Sequence, residues 1–149
     1  MQALSKTTIY AIRALIYLLN NQQPNQFINI RDISNDLDIS FHFLTKILQS
    51  LTKEGILVSY RGATGGIGIN KNPRHIRMID LIYILEGDDF FGKCLLGLPG
   101  CGTMEPCPAH KIWSATKEDL KLKFEKTSIL DLKNLKGRIT NESLISTTT

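Results

Sequence analysis

Apolar residues at the start of the chain recur every three or four positions, which is the spacing of one face of an α-helix. Two adjacent stripes run between Ser5, a good N-cap residue, and Asn21, which precedes a polar loop. Together the stripes form a wide apolar arc. The pattern therefore predicts a first helix that is buried on more than one side.

Two shorter helical patterns follow, and each begins at a polar capping residue. Asn29 precedes the first pattern, and Ser40 precedes the second. Either Phe43 or Leu44 is the first inward position of the second pattern, which ends before Gly55, a residue typical of the position after a helix. Because a short turn joins the two helices, they are predicted to form a helix-turn-helix.

The hydrophobic period changes after this helix pair. Residues 56–60 and 67–70 are short β-type runs, and a polar, glycine-rich connection (RGATGG, residues 61–66) joins them. This pattern predicts a β-hairpin. A hairpin directly after a helix-turn-helix makes a winged helix-turn-helix.

The second half of the chain is predicted to contain three further helical segments, with an irregular segment between the first and the second. A fourth helix is expected over residues 76–86, and a long final helix is expected to begin at Pro108. Ser128 is a plausible cap for a last short helix. In the long helix Trp113, Leu120 and Phe124 repeat at seven and then four residues, which predicts a seam for another helix.

The 149 residues correspond to one domain's worth of chain, with a mainly α fold and a small β-hairpin. We expect four segments: a winged helix-turn-helix domain (1–87), a cysteine-containing loop (88–107), a long helix region (108–136) and a flexible tail (137–149). No window approaches about 18 uninterrupted apolar residues, and no signal-peptide pattern opens the chain. A cytoplasmic protein without a membrane partner is the expectation.

Basic residues are concentrated in the first half of the chain. The formal net charge is +4, and residues 1–80 hold nine Lys and Arg against five Asp and Glu. A basic N-terminal half suits a polyanionic partner, although charge alone does not establish nucleic-acid binding.

The three cysteines all lie in one window of 14 residues. Cys94, Cys101, Cys107 and His110 have the spacing C-x6-C-x5-C-x2-H. Thiolates with one imidazole suit an iron–sulfur cluster. A Cys3His zinc site, a redox-active thiol pair and inert cysteines remain alternatives, although structural zinc sites mostly use closer pairs such as C-x2-C. Because the cysteine count is odd, a closed disulfide framework is disfavoured.

Five segments in order resemble the IscR/NsrR family of bacterial transcription regulators, the Rrf-type winged-helix proteins. They are SKTTIYAIRAL, IRDISNDLDISFHFLTKILQSLTKEGIL, YRGATGGIGI, IDLIYILEG and CPAHKIW, and the resemblance covers about residues 1–135. It implies a homodimer in which the long helix crosses its partner, in agreement with the apolar seam. It also implies a two-fold site on double-stranded DNA with half-sites about one helical turn apart.

The third helix and the wing supply the candidate DNA contacts. In a helix-turn-helix the second helix enters the major groove, and its first side chains meet base edges and phosphates. Lys46 suits a phosphate, whereas Thr45 and Gln49 suit base edges. The resemblance implies that Arg61 enters the minor groove. Some family members have a carboxylate at the position of Thr45, and Thr45 cannot copy its role in selectivity. The predicted set is Ser40, Phe41, His42, Thr45, Lys46, Gln49, Arg61 and Gly62.

Two simpler interpretations of these residues remain open. The helix positions could form an ordinary solvated face. The glycines Gly62, Gly65 and Gly66 let the backbone approach sugar and phosphate closely; the simpler interpretation is that they serve the turn itself, and both can hold.

The resemblance also separates two forms of the cluster site. In IscR-like proteins a histidine three residues after the last cysteine completes a two-iron cluster, and His110 stands at that position. In NsrR-like proteins a carboxylate near the start of the first helix reaches over from the partner, but no Asp or Glu precedes Asp32 here. A [2Fe–2S] cluster is therefore preferred. A [4Fe–4S] cluster with an exogenous ligand and a plain helix-face role for His110 remain open.

The expected function is a homodimeric DNA-binding repressor whose affinity is controlled by an iron–sulfur cluster that senses nitric oxide, redox state or iron–sulfur status. The alternatives are a zinc-stabilised winged-helix interaction module and a cluster-free thiol-based regulator. An enzyme is not expected, because no nucleophile–base pair or carboxylate pair has recognisable spacing. The RGATGGIG segment joins two β-runs and does not open a helix, so it lacks the context of a phosphate-binding loop.

Overall fold

A computed structural model of the chain describes residues 4–92, 96 and 108–138. Within them lie helices α1 (Lys6–Asn21), α2 (Ile30–Leu37), α3 (Phe41–Lys53), α4 (Met78–Glu86) and α5 (Pro108–Lys126), and strands β1 (Leu57–Tyr60) and β2 (Gly66–Ile69). Short 3-10 helices cover Pro73–His75, Phe90–Gly92 and Ile129–Arg138. The described residues are thus mainly helical with one antiparallel hairpin, which confirms the predicted fold class.

Helix α1 is the centre of the core. It begins at the predicted cap, where the Ser5 hydroxyl accepts a hydrogen bond from the Thr8 backbone N–H at 3.3 Å. It packs against α2, α3, α4, β2 and the 3-10 helix Ile129–Arg138. Its buried positions surround most of the helix, as the wide apolar arc predicts; they are Thr8, Ala11, Ala14, Leu15, Ile16, Tyr17 and Leu18.

Helices α2 and α3 form the predicted helix-turn-helix. The Asn29 side chain caps α2 by accepting from the Arg31 backbone N–H at 2.8 Å. Asp38 turns the chain in the left-handed conformation (φ 54°). Ser40 occupies the N-cap position of α3 but makes no side-chain cap hydrogen bond. Leu44 is the inward residue at the start of α3.

The hairpin is the predicted wing, and a third segment of chain extends it. Residues 57–60 pair antiparallel with residues 66–69. On the other side of β2, the backbones of Ile28 and Ile67 exchange hydrogen bonds of 2.9 and 2.8 Å. The wing is therefore joined by backbone hydrogen bonds to the segment that leads into α2.

The fourth helix begins later than the sequence predicts. It was expected from Ile76, but α4 starts at Met78, because residues 76–78 pair with residues 127–129. The Met78 N–H donates to the Thr127 carbonyl and the Ile129 N–H donates to the Ile76 carbonyl, both at 2.8 Å. These partners hold Ile76 and Arg77 extended. The last short helix after Ser128 is present as a 3-10 helix.

None of the helices in the described part of the chain combines the length and the apolar character that a membrane span requires.

Candidate nucleic-acid interface

The outward face of α3 carries the polar side chains that the sequence singles out. His42, Lys46 and Gln49 are exposed on it, and Ser40 is exposed at its start. They sit opposite the inward row of Leu44, Ile47, Leu48 and Leu51. The burial of that row fixes the rotation of α3 and so determines which side chains face solvent.

Phe41 and Thr45 are less available than the prediction supposes. Both are half-buried. The Thr45 hydroxyl donates to the Phe41 carbonyl inside α3 at 2.7 Å, so its proton is already in use. Only the Thr45 oxygen lone pairs and methyl group remain for an outside partner.

Arg31 is a further exposed basic residue, at the start of α2, that no local sequence pattern singles out. Its guanidinium carbon lies 4.5 Å from the centroid of the Phe41 ring, within the range of a cation–π contact. The His42 ring meets the same Phe41 ring edge-on at 5.6 Å. Ten residues separate Arg31 from Phe41, and only the turn between the helices brings them together.

The wing presents Arg61 and Gly62 to solvent. Both are exposed, and a Cβ added at Gly62 would meet no atom within 4 Å. Just before them, Tyr60 is 57% exposed and stacks on Phe27 with ring centroids 5.3 Å apart. The stack and the neighbouring backbone pairing hold the turn end of the hairpin against the segment before α2.

Two of the wing glycines are required by the protein's own packing. A Cβ at Gly65 would lie 2.3 Å from the Tyr60 carbonyl oxygen, and one at Gly66 would lie 2.3 Å from the Ile28 carbonyl oxygen. Both obstacles are backbone atoms, which cannot move aside cheaply. Turn geometry and strand packing therefore require glycine at positions 65 and 66, and a close approach of this backbone to DNA stays a prediction.

Three exposed basic side chains on these elements have no ion pair. Among the described residues, no carboxylate forms an ion pair with Arg31, Lys46 or Arg61. Exposed cations without an ion-pair partner suit a polyanion such as the DNA backbone.

Of the predicted metal ligands, the described residues include His110 alone. It is half-buried in the first turn of α5, and its Nε2 lies 3.3 Å from the Ser114 hydroxyl. Cys94, Cys101 and Cys107 lie outside the described residues. The donor set itself fits iron–sulfur ligation, since three thiolates and an imidazole are ligands that such clusters use.

Helix α5 leaves large apolar side chains in solvent. Ile112 is 71% exposed and Leu122 is 51% exposed. In the predicted seam, Trp113 and Leu120 are half-buried, and Phe124 packs on the core of its own chain and near Phe91, with ring centroids 6.4 Å apart. The assignment of Trp113, Leu120 and Phe124 to a dimer seam stays a prediction.

Sequence comparison identifies similar proteins across most of the chain. A sequence model of the Rrf2 family, described as an iron-dependent transcriptional regulator, matches residues 4–134. A putative HTH-type transcriptional regulator of Aquifex aeolicus is 32% identical over 136 residues, which cover 90% of this chain and 93% of that protein. The HTH-type transcriptional regulator NsrR of Bacillus licheniformis is 34% identical over 94 residues, covering 63% of this chain and 65% of NsrR.

Solved structures share the fold at lower identity. CymR (YrzC), the global cysteine regulator of B. subtilis, matches with a TM-score of 0.74 at 23% identity, over 90% of this chain and 98% of CymR. T. potens IscR matches with a TM-score of 0.69 at 22% identity, over 87% and 84%. The oxidised form of Staphylococcus aureus CymR matches with a TM-score of 0.68 at 22% identity, over 89% and 96%.

Proposed function

The chain belongs to the Rrf2 family of transcriptional regulators. We propose that it is a homodimeric repressor whose affinity for a two-fold DNA site is controlled by an iron–sulfur cluster. Family membership confirms the resemblance on which the sequence analysis relies. The matched proteins are transcriptional regulators, as expected for a chain that is not an enzyme. The observation that carries the DNA part is an exposed polar face on α3, in which Lys46 has no ion pair among the described residues, beside a solvent-exposed wing.

In this proposal the two elements contact DNA in different ways. Helix α3 enters the major groove, where Gln49 and Thr45 face base edges and Lys46 faces a phosphate. Ser40 and His42 contact DNA at the start of α3. The wing follows the backbone, with Gly62 close to it and the Arg61 side chain in the minor groove, where a narrow groove concentrates negative potential.

Cys94, Cys101 and Cys107 with His110 are the residues that would hold the cluster, and a two-iron form is preferred over a four-iron form. When bound, the cluster supplies a crosslink between these ligands that nitric oxide, oxidants or iron shortage can destroy. His110 lies in the first turn of α5, so its ligation would tie the cysteine segment to that helix. The proposal is that this tie changes the angle between the two winged domains and hence the affinity for DNA.

The homodimer is proposed to form along α5. Ile112 and Leu122 are large apolar side chains exposed on the same long helix, and a helical partner that covered them would remove them from water. A second copy of the chain supplies that partner with the two-fold symmetry that a two-fold DNA site requires.

A second candidate is a cluster-free regulator that responds through its thiols. The observation in its favour is the structural match to the oxidised form of S. aureus CymR. Under this alternative, two of the three cysteines form a reversible disulfide and no metal is needed.

Anaerobic purification followed by iron, acid-labile sulfide and zinc analysis tests the proposal. The cluster account predicts coloured protein with iron and sulfide in equal amounts, and loss of both in a Cys101→Ser variant. Colourless protein with stoichiometric zinc would support the interaction-module alternative. Metal-free protein with a reversible change in thiol titre would support the thiol-based regulator.

A further inference from the structure

We propose that Arg31 and Phe41 form a fixed phosphate-binding pair at the N-terminal end of α3, in which Phe41 positions Arg31 and Arg31 holds the DNA backbone. The inference deepens the proposed DNA binding and rests on it. It assigns Phe41 a positioning role, in place of the direct DNA contact that the sequence predicts.

The geometry places the guanidinium beside the reading surface. Arg31 is the second residue of α2 and Phe41 is the first residue of α3. The 4.5 Å distance between the Arg31 guanidinium carbon and the Phe41 ring centroid therefore joins the N-terminal ends of both helices. His42, the next residue along α3, is exposed on the same end.

The guanidinium still has its hydrogen-bonding capacity. Within the part of the chain that the structure describes, the Arg31 side chain makes neither an ion pair nor a hydrogen bond, and the adjacent Asp32 carboxylate does not pair with it. Stacking on an aromatic ring uses the face of the guanidinium plane and leaves its N–H edge available. That edge matches two oxygens of a phosphate.

Fixing the side chain beforehand also favours binding. A long exposed arginine loses rotamer freedom when it contacts DNA, and this loss weakens the contact. Because the Phe41 ring already restricts Arg31, less freedom is lost on binding. Phosphate contact is favoured over base contact for a positional reason. The pair lies beside the helix that reads the bases, and Arg31 belongs to α2, the helix that crosses the backbone in this motif.

The test is a set of anisotropy titrations with the full-length protein over a series of NaCl concentrations. One DNA probe is a duplex selected from a random pool by the wild-type protein, and the other is the same duplex with its bases shuffled. Arg31→Ala is expected to weaken binding to both duplexes about tenfold. It should also reduce the slope of log K against log [NaCl] by about 0.9 for each bound protomer.

Three further variants distinguish how DNA binding depends on the charge of Arg31, on its geometry and on charge elsewhere in the protein. Arg31→Lys and Phe41→Leu keep the positive charge, so they should retain the wild-type slope while binding both duplexes several-fold more weakly. Lys133→Ala removes another exposed charge, on the 3-10 helix after α5, and should leave affinity and slope unchanged. Thermal melting of each variant checks that the fold is intact.

Two results would overturn the inference while leaving the proposed function in place. One is an Arg31→Ala variant with the wild-type slope and affinity. The other is a loss confined to the selected duplex, which would make Arg31 a base-reading residue. If the wild-type protein bound neither duplex in a salt-dependent way, the proposed DNA-binding function itself would fail.

Discussion

At the scale of single residues, Tyr17 joins the first two helices through its hydroxyl group. Its side chain is 8% exposed, and the phenol donates a hydrogen bond to the Asp36 carboxylate. Burial first, and then the hydrogen bond and negative charge of Asp36, raise the pKa of Tyr17 from 10.0 to about 12. The folded chain therefore holds this proton more tightly than the unfolded chain does.

This pKa predicts an alkaline loss of stability. The stabilisation is complete below the unfolded pKa of 10.0 and is lost as the pH rises through about 12. Between pH 8 and pH 11, the free energy of unfolding of the wild type should fall by about 1.4 kcal/mol relative to Tyr17→Phe. Urea denaturation of both proteins at several pH values measures the difference, and two parallel curves would contradict the assignment.

Two neighbouring residues of α3 should respond differently to truncation. Lys46→Ala is expected to weaken binding to every duplex and to reduce the salt slope by about 0.9 per protomer, because it removes a phosphate contact. Gln49→Ala is expected to cost about 1–3 kcal/mol of discrimination at particular base pairs. Titration against single-site variants of a selected duplex distinguishes them. Equal, sequence-dependent losses in both variants would refute these roles.

At the scale of elements, the wing is held in place by the segment that precedes α2. Ile28 pairs with Ile67 in the sheet, and Phe27 stacks on Tyr60 at the end of β1. Since the same segment caps and starts α2, the wing and the helix-turn-helix share one connection. The position of Arg61 at the DNA is expected to depend on that connection.

Gly66→Ala should damage this connection. Its Cβ would meet the Ile28 carbonyl oxygen at 2.3 Å and the carbonyl carbon at 2.5 Å, so the two strands must separate. A loss of about 1–3 kcal/mol in the free energy of unfolding is expected, together with weaker DNA binding. Gly92→Ala is the matched control, because a Cβ there meets nothing within 4 Å. Equal melting temperatures for the two variants would show that the contact does not matter.

The elements whose signals are local were predictable from the sequence, and those set by distant partners were not. Ser5 and Asn29 cap their helices through bonds to residues two or three positions away, so the residue type alone indicates them. The start of α4 depends on pairing with residues 127–129, about fifty positions later, which no local pattern contains.

The candidate site divides in the same way. The period of α3 predicts which of its polar residues face outward, because burial of one side fixes the other. The helical period leaves Phe43 and Leu44 as alternative inward positions, since both are apolar. In the structure Leu44 is buried, whereas Phe43 is 37% exposed and its ring meets the Tyr10 ring edge-on. No local pattern marks Arg31, because its proposed role depends on the Phe41 ring, which the turn between α2 and α3 brings alongside it.

At the scale of the whole molecule, α5 has a second apolar side besides the predicted seam. Ile112, Ala115 and Leu122 stand at i, i+3 and i+10, so they share one side of the helix, and all three are exposed. Phe124, on the other side, already packs on its own chain. We therefore expect a partner helix to cover the Ile112 and Leu122 side, while Trp113 and Leu120 lie on the roughly opposite side of α5.

Leu122→Asp should weaken the dimer. A carboxylate in an apolar helix interface loses hydration without a partner, so the dimer dissociation constant should rise at least about tenfold. Lys121→Asp, at the adjacent position on a different side of the helix, is the control and should change it little. Analytical ultracentrifugation measures both constants. Dimers of equal strength would place the interface elsewhere.

If one chain joins a DNA-reading surface to a metal-dependent switch, its affinity for DNA must depend on bound iron. The most direct measurement compares the affinity of anaerobically prepared protein, with iron and sulfide verified, and of the same protein after iron removal, for one selected duplex. The account predicts dissociation constants that differ by at least about tenfold, and no such difference for Cys101→Ser. Equal affinities of the iron-loaded and iron-free wild type would contradict it.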